Sequence, residues 1–169
     1  VITVGAIHGG TKHNIIGDNC KLQVTVRSYK PDIREKMLAS IKRRALAIAK
    51  AYDAPEPTIT VSEGTPALEN DAPLTERVRQ SFHSAVGTEN VLPMEPVMGG
   101  EDFSQYGLAG VPIVMYRLGV VSPERLDRFA ALGQEPPSLH SPFFYPDPQQ
   151  SLATGITTMV SAAIDLLQK

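Results

Sequence analysis

A glycine-rich turn followed by an arginine contains the first residues whose types suggest chemistry. Gly9 and Gly10 open a loop that carries Asn14, and Arg27 lies on the polar face of the next predicted strand. A guanidinium offers two parallel N–H donors to a carboxylate, and an amide adds one directional hydrogen bond. This combination suits the capture of a carboxylate. A glycine-containing hairpin with a surface arginine is the alternative that these residue types leave open.

A second candidate lies in the segment Met98-Gly99-Gly100-Glu101-Asp102-Phe103-Ser104. Paired glycines allow a backbone to approach a ligand closely, because no β-carbon stands in the way. The two adjacent carboxylates could tune a metal site or contact an amine. A glycine turn that is followed by acidic residues at a helix start explains the same letters, and both interpretations remain open at this point.

A histidine provides the third candidate. His140 follows a long segment rich in Gly, Pro and Ser, and neutral imidazole is the commonest metal donor in proteins. A lone histidine is more often a structural residue. His8, His13 and His83 show no metal-ligand spacing with it, and Cys20 has neither a nearby base nor a second cysteine. The chain also contains no Gly-x-Ser-x-Gly elbow, no phosphate loop and no His-Glu-x-x-His helix.

Composition excludes several classes of protein. Hydrophobic residues make up 42% and charged residues 20% of the 169 residues, which is typical of a globular chain. A net charge of −2 with no basic tract argues against nucleic acid as a partner, and no apolar run is long enough to suggest a membrane span. The single cysteine excludes an internal disulfide and weakly favours a reducing, cytoplasmic location.

The elements that must position these residues fall into two groups. Alternating residues predict strands over 1–7 and 21–27, and the spacing after Pro31 predicts a helix with Asp32 as its N-cap. The apolar side of that helix is predicted to contain Ile33, Met37, Ile41, Ala45, Ile48 and Tyr52. A further strand is predicted over 58–61. The order strand–strand–helix–strand is the later part of a ferredoxin-like unit, which needs one more strand and helix upstream.

A change of character follows residue 65. Turn-forming residues lead into a predicted helix over about 74–86, and the apolar run 110–116 predicts a strand covered on both sides. Residues 117–147 are predicted to form a loop, and about 148–168 a final helix. The buried side of that helix is predicted to contain Leu152, Ile156, Met159, Val160, Ala163 and Leu167.

Five short motifs occur in an order that resembles a known family. They are Gly9-Gly10-Thr11-x-x-Asn14-x-Ile16, Thr25-Val26-Arg27, Glu63-Gly64-Thr65-Pro66 with Asn70-Asp71, Met98-Gly99-Gly100-Glu101-Asp102-Phe103, and Leu139-His140-Ser141-Pro142. Together they resemble the zinc-dependent aminoacylases, hippurate hydrolases and glutamate carboxypeptidases, most closely the bacterial amidohydrolase branch. The resemblance covers essentially the whole chain.

The resemblance implies an α/β (α+β) architecture. Residues 1–65 would be the later part of a ferredoxin-like lid, through which many members dimerise. Residues 66–169 would be the C-terminal part of an α/β zinc-peptidase catalytic domain. The resemblance further implies that the remaining metal ligands, the general base and a lid histidine lie upstream of Val1. No catalytic residue is then expected within this chain, which alone would be inactive.

The resemblance also assigns roles to individual residues. It implies that His140 is a metal ligand and that Asn14 and Arg27 bind the free carboxylate of an N-acyl amino acid or peptide substrate. Gly99 and Gly100 would line the substrate pocket, with Glu101 close to the metal. The metal would be zinc, although manganese, cobalt or nickel can share such ligands.

One residue departs from the family pattern, which normally has proline where this chain has Gly17. We expect this departure to loosen the turn while it leaves Asn14 in place. Two other classes of function fit the same chain. One is a binding or dimerisation module, and the other is a non-catalytic paralogue that has kept the fold.

Overall fold

A computed structural model of the chain describes residues 1–62 and 64–168. Glu63, which belongs to the Glu-Gly-Thr-Pro motif, and Lys169 lie outside the described residues. The chain divides into two compact units. The first unit comprises Val1–Glu69 and Pro96–Val111, and the second comprises Asn70–Glu95 and Pro112–Lys169. The domain boundary after residue 65 stays a prediction.

An antiparallel pair of strands forms the sheet of the first unit. β1 (Ile2–Gly9) pairs with β2 (Cys20–Val26), and the register places Ile2 opposite Val26 and Gly9 opposite Cys20. The register shifts by one residue between Val4 and Ala6, where Gly5 forms a bulge. Both predicted strands are therefore confirmed. The apolar residues of β2 lie on one face because side chains alternate along a strand.

Helix α1 (Pro31–Ala51) follows and contacts β2. Proline stands in its first turn, where its missing N–H costs no hydrogen bond. The prediction of Asp32 as N-cap was wrong. Lys30 occupies that position without a side-chain cap, and the Asp32 carboxylate instead accepts a hydrogen bond from Lys36 Nζ at 3.4 Å. Of the predicted apolar side, Met37, Ile41 and Ala45 are half-buried, whereas Ile33, Ile48 and Tyr52 are exposed.

Two predicted strands are not formed by the described residues. Segments 58–61 and 110–116 have no hydrogen-bonded strand neighbour within the described ranges, and a strand needs one. The second segment is only partly covered, since Ile113 is buried while Val111 is exposed. The Asn70 side chain substitutes locally for a neighbouring strand. Its amide donates to the Met115 carbonyl and accepts from the Met115 N–H, both at 2.9 Å.

Packing in the second unit joins α2 (Ala72–Val86) to the last helix, α5 (Pro148–Leu167). Asp71 caps α2 by accepting the Leu74 N–H at 2.9 Å. Val78, Phe82 and Ala162 form the buried core, and the Phe82 ring meets Tyr116 edge-on with centroids 4.7 Å apart. Fully burying a side chain such as Phe82 contributes roughly 1.5–3 kcal/mol. Both helices were predicted and are confirmed.

The buried face of α5 was predicted wrongly. Ser151, Thr158 and Ala162 are buried, whereas all six predicted residues are exposed. Small residues let α2 and α5 approach closely, and hydrogen bonds satisfy the hydroxyl groups that this packing buries. Ser81 Oγ lies 2.8 Å from Ser161 Oγ, and Tyr116 OH lies 3.0 Å from Thr158 Oγ1.

Shorter elements complete the described chain. A 3-10 turn spans Thr88–Asn90, and α3 spans Ser104–Leu108 in the first unit. The segment predicted as a loop over 117–147 contains a helix, α4 (Pro123–Ala131), which begins at a proline after Ser122. The architecture is mixed α/β, and its lid component stays a prediction. Of the helices among the described residues, none combines the length and hydropathy needed to cross a membrane.

Candidate functional site

The loop that carries Asn14 joins β1 to β2 and is held at its base by two glycines. Gly10 has a φ of +73°, which favours a residue without a side chain. A β-carbon at Gly17 would stand 2.9 Å from both Cα and N of Gly10. Gly17 therefore lets the two ends of the loop touch, contrary to the expectation that it loosens the turn. Asn14 lies exposed within this closed loop.

Arg27 directly follows β2, and its backbone N–H donates to the Val1 carbonyl at 2.9 Å. This bond continues the pairing of the sheet, so the arginine backbone is fixed while its side chain is exposed. Arg27 Nη1 donates to the backbone carbonyl of Met98. Met98 immediately precedes Gly99, and so the contact joins the arginine to the paired-glycine loop inside the first unit.

The paired-glycine loop also lies against a third motif. A β-carbon at Gly100 would stand 3.2 Å from Thr65 Oγ1, so the glycine permits an approach that other residues would hinder. Glu101 is half-buried, and its backbone carbonyl accepts the Ser104 N–H at 3.2 Å at the start of α3. The glycine turn thus does lead into a helix. The two carboxylates do not cap that helix, since Phe103 at the N-cap position has no side-chain cap hydrogen bond.

Three of the predicted segments therefore meet in the first unit: Arg27, residues 98–101 and Thr65. Among residues 1–62 and 64–168, we find no hydrogen bond that joins the Asn14 side chain to either Arg27 or Glu101. The arrangement places a cation beside a stretch of backbone, Gly99 and Gly100, that has no side chains. Such a surface can receive a carboxylate at the guanidinium and a further substrate group over the glycines.

His140 belongs to the second unit and lies exposed in a turn. The Ser141 N–H donates to the Ser138 carbonyl at 2.9 Å, and Ser141 Oγ accepts the Phe143 N–H at 3.1 Å. An accessible imidazole in a tight turn fits the role of one metal ligand. Within the described ranges no group of three or more His, Cys, Asp or Glu residues could hold a metal ion, and a catalytic zinc needs about three protein ligands.

An ion pair that the sequence did not predict lies at the base of the segment containing His140. Asp147 Oδ2 accepts the Ser122 N–H at 2.6 Å and Arg125 Nη1 at 3.0 Å. The hydrogen bond from Ser122 and then the Arg125 guanidinium hold the pKa of the Asp147 carboxyl below its usual range. An aspartate before a proline is a common helix-start signal, but that signal does not reveal a partner so far along the chain.

The remaining candidates lie apart from these contacts. His8 on β1 faces Lys21 across the sheet, His13 is exposed in the Asn14 loop, and His83 Nε2 lies 3.4 Å from Arg79 Nη1 on α2. Cys20 is exposed at the start of β2, beside Gly9.

Comparison with known proteins identifies relatives for most of the chain. The family model described as "Peptidase family M20/M25/M40" matches residues 4–163. A protein of Synechocystis named as a probable hydrolase is 30% identical over 165 residues, which cover 96% of this chain and 39% of the relative. An N-acetyldiaminopimelate deacetylase of Bacillus pumilus is 36% identical over 122 residues, 72% of this chain and 32% of the relative.

A third relative is named thermostable carboxypeptidase 2, from Saccharolobus solfataricus. It is 34% identical over 119 residues, which cover 70% of this chain and 29% of that protein. The chain thus spans two fifths or less of the length of these curated relatives. Since the family match extends over residues 4–163 of 169, the chain belongs to the peptidase family M20/M25/M40.

Proposed function

We propose that the protein carrying this chain is a metal-dependent amidohydrolase that acts on N-acyl amino acids or small peptides. Family membership supports a hydrolase, and two of the relatives are named as a deacetylase and a carboxypeptidase. Both names describe hydrolysis of an amide next to an amino acid. The substrate class proposed here therefore has a free carboxylate near the bond that is cleaved.

The contact between Arg27 and the carbonyl of Met98 is the observation that carries this proposal. It places a guanidinium beside Gly99 and Gly100 in one unit, so carboxylate binding and close substrate approach can occur at adjacent positions. Arg27 and Asn14 would bind the substrate carboxylate, and the glycine loop would accept the chain next to the amide. Fixing one end of the substrate lowers the entropic cost of orienting the amide, which is catalysis by positioning.

His140 would supply one ligand to a divalent metal, with zinc as the first candidate and manganese, cobalt or nickel as alternatives. Such a metal, when bound, lowers the pKa of water and polarises an amide carbonyl. Its other ligands and the general base would come from residues outside this chain, and Glu101 would lie near the metal. In support of this proposal, the chain spans only 39% of the length of its Synechocystis relative.

Replacing Arg27 tests the carboxylate role. In the native protein, we expect Arg27→Ala to raise KM for an N-acyl amino acid about tenfold or more, because a charge-assisted hydrogen bond contributes roughly 1.5–3 kcal/mol. Arg27→Lys should recover part of the affinity, since it keeps the charge and loses the fork. Arg44→Ala, at an exposed position of α1, is the matched control.

A substrate analogue with an amide in place of the carboxylate completes this test. The Arg27→Ala variant should handle the analogue as poorly as the unsubstituted protein does, because the group that the arginine binds is missing from the ligand. An unchanged KM for the carboxylate substrate in Arg27→Ala would contradict the assignment.

A binding or dimerisation module is the second candidate function, either alone or as an inactive paralogue. The apolar face of the two-stranded sheet favours it, since Val4, Ile7 and Leu22 are 50%, 65% and 54% exposed. A face of this kind is typical of a surface that another chain covers, and a homodimer through the lid would cover it. Sedimentation of the native protein and of a Val4→Lys variant tests the module. A dimer that Val4→Lys dissociates, without any amide hydrolysis in either form, would favour the module over the enzyme.

A further inference from the structure

His140 lies in a loop of the second unit, residues 123–146, whose two ends are held together by hydrogen bonds. We call these ends, residues 120–122 and Asp147, the stem. The Asp147 N–H donates to the Val120 carbonyl at 2.8 Å, and the Asp147 carboxylate accepts the Ser122 N–H at 2.6 Å. Ser122 and Asp147 are 25 positions apart, so these bonds close residues 123–146 into a loop. Among the described residues, every hydrogen bond that we find for 123–146 has its partner within 120–147. The stem therefore determines where the base of this loop lies.

Asp147 occupies the N-cap position of α5, but its side chain does not cap that helix. It stands at the N-cap of α5, where an aspartate usually accepts a backbone N–H from the first turn of its own helix. Its side chain makes no such bond here. Both of the partners of its Oδ2 atom, Ser122 N–H and Arg125, come from the opposite side of the stem. The Asp147 backbone carbonyl still binds the helix, since Ser151 Oγ donates to it at 2.7 Å.

Arg125 reinforces the stem from the first turn of α4. Its Nη1 atom donates to Asp147 Oδ2 at 3.0 Å and to the Tyr145 carbonyl at 2.8 Å, and its guanidinium carbon lies 5.0 Å from the centre of the Tyr145 ring. The side chains of Arg125 and Asp147 are only 22% and 25% exposed. Partial shielding from water strengthens such a pair relative to a fully solvated one.

We propose that Asp147 and Arg125 are positioning residues for His140. The inference rests on the proposed function, in which His140 is a metal ligand. Since the loop is anchored through its stem, opening the stem would let the imidazole sample many positions. A ligand that must be ordered on binding contributes less net affinity, because the ordering costs conformational entropy. Neither residue needs to touch the metal for this effect.

The second unit offers a matched control pair. Arg77 Nε lies 2.7 Å from Asp165 Oδ2 and joins α2 to α5, with side chains 48% and 41% exposed. This pair also links distant segments of the same unit, but neither of its residues belongs to the stem or to the His140 loop, residues 120–147. Replacing Asp165 therefore measures how the loss of an ion pair elsewhere in the second unit changes zinc affinity through stability alone.

The experiment compares Asp147→Ala, Asp147→Asn and Asp165→Ala in the native protein, with His140→Ala as a reference. Zinc affinity is measured by competition with a chelator, and hydrogen exchange of the amides of residues 134–146 is measured on metal-free protein. We expect Asp147→Ala to weaken zinc binding about tenfold, the lower end of what supporting residues around metal ligands contribute. Exchange in 134–146 should accelerate by about the same factor.

The other variants show whether the effect is specific. Asp147→Asn keeps an acceptor for the Ser122 N–H, so its zinc affinity should lie between those of Asp147→Ala and the unsubstituted protein. Asp165→Ala should stay within about twofold, because distant sites act independently. If Asp147→Ala does not fold, Arg125→Lys replaces it, since lysine keeps the charge but cannot make the paired contacts.

Each outcome separates the inference from the proposed function. If His140→Ala weakens zinc binding and Asp147→Ala does not, the positioning role is wrong and His140 remains a ligand. If His140→Ala leaves zinc binding unchanged, the proposed ligand itself is wrong. Equal losses of zinc affinity in Asp147→Ala and Asp165→Ala would also overturn the inference, because they would indicate that a lower stability of the second unit weakens zinc binding in both variants.

Discussion

At the scale of one residue, the absence of a β-carbon at Gly17 determines how closely the two ends of the Asn14 loop can approach. Its position in the sequence, where the resembling family has proline, suggested a looser turn. In the structure Gly17 is pressed against the backbone of Gly10, which has a positive φ, and the two glycines close the loop that carries Asn14. A side chain at position 17 would have to push against main-chain atoms, which cannot rotate away as a side chain can.

We therefore expect Gly17→Ala to open the Asn14 loop and to raise KM for the carboxylate substrate. The rise should reach about tenfold, since displacing a binding group by about 1 Å can cost that much or more. Gly119→Ala is the matched control, because a β-carbon there meets no atom within 4 Å. Steady-state kinetics of both variants measure the effect. Equal KM values for the two would show that the close Gly10–Gly17 contact does not influence binding.

Prediction from sequence succeeded at this scale where the local pattern decides the answer. Alternation predicted a strand over 21–27 that ends with Arg27, and β2 in fact ends one residue earlier, at Val26. The sequence could not predict the bond from Arg27 to the Met98 carbonyl or the bond from Ser122 to Asp147. Each bond joins two residues that are far apart in the chain. The partners of Arg27 and Asp147 are backbone groups of Met98 and Ser122, which any residue type would supply. Such contacts depend on the tertiary fold rather than on any local pattern.

At the scale of elements, helix α5 shows why a helix can be predicted correctly and its orientation wrongly. Apolar residues occur around most of its circumference, so the spacing supports more than one buried face. The face with the largest side chains was chosen from the sequence, but the face that packs on α2 contains Ser151, Thr158 and Ala162. Close packing of two helices favours small residues, and their hydroxyl groups are satisfied by partners such as Tyr116.

Ala162 and its neighbour Ala163 test this packing directly. Ala162→Leu adds bulk beside Val78 and Phe82, so we expect it to lower the free energy of unfolding by about 1–3 kcal/mol. Ala163→Leu is its matched control, since Ala163 is exposed and the change should stay within about 0.5 kcal/mol. Urea denaturation of both variants measures the difference. A larger loss for Ala163→Leu would mean that the buried face of α5 has been assigned to the wrong side.

The strands predicted over 58–61 and 110–116 failed for a different reason. Their composition favours extended backbone, but a strand exists only when a neighbour accepts and donates its hydrogen bonds. Among residues 1–62 and 64–168, only β1 and β2 pair. Asn70 satisfies Met115 from a side chain instead, and Asp71 donates its N–H to the Ile113 carbonyl at 2.8 Å. The sequence therefore predicted a strand at 110–116, whereas the described residues satisfy Ile113 and Met115 through Asp71 and Asn70 instead.

At the scale of the whole molecule, the candidate residues are found in both of the compact units. Arg27 and the glycine loop belong to the first unit, and His140 with its stem belongs to the second. Each unit also exposes large apolar side chains, for example Ile7 on β1 and Leu152 on α5. Monomeric proteins rarely leave contiguous apolar patches uncovered. Exposed apolar side chains of this kind are typical of surfaces that other protein segments cover, and the chain spans 39% of the length of its Synechocystis relative.

Zinc binding by the purified chain tests the proposal that most of the metal ligands lie outside it. The described residues supply no group of three donors, and His140 alone contributes one imidazole. A catalytic zinc site needs about three protein ligands, because one donor leaves most of the ion's hydration in place. We therefore expect chain 1–169 to retain no stoichiometric zinc after dialysis against a weak chelator and to hydrolyse no N-acyl amino acid. Elemental analysis with an amide hydrolysis assay measures both, and His140→Ala controls for adventitious binding. One tightly held zinc per chain, lost in His140→Ala, would show that the site is already complete without further residues.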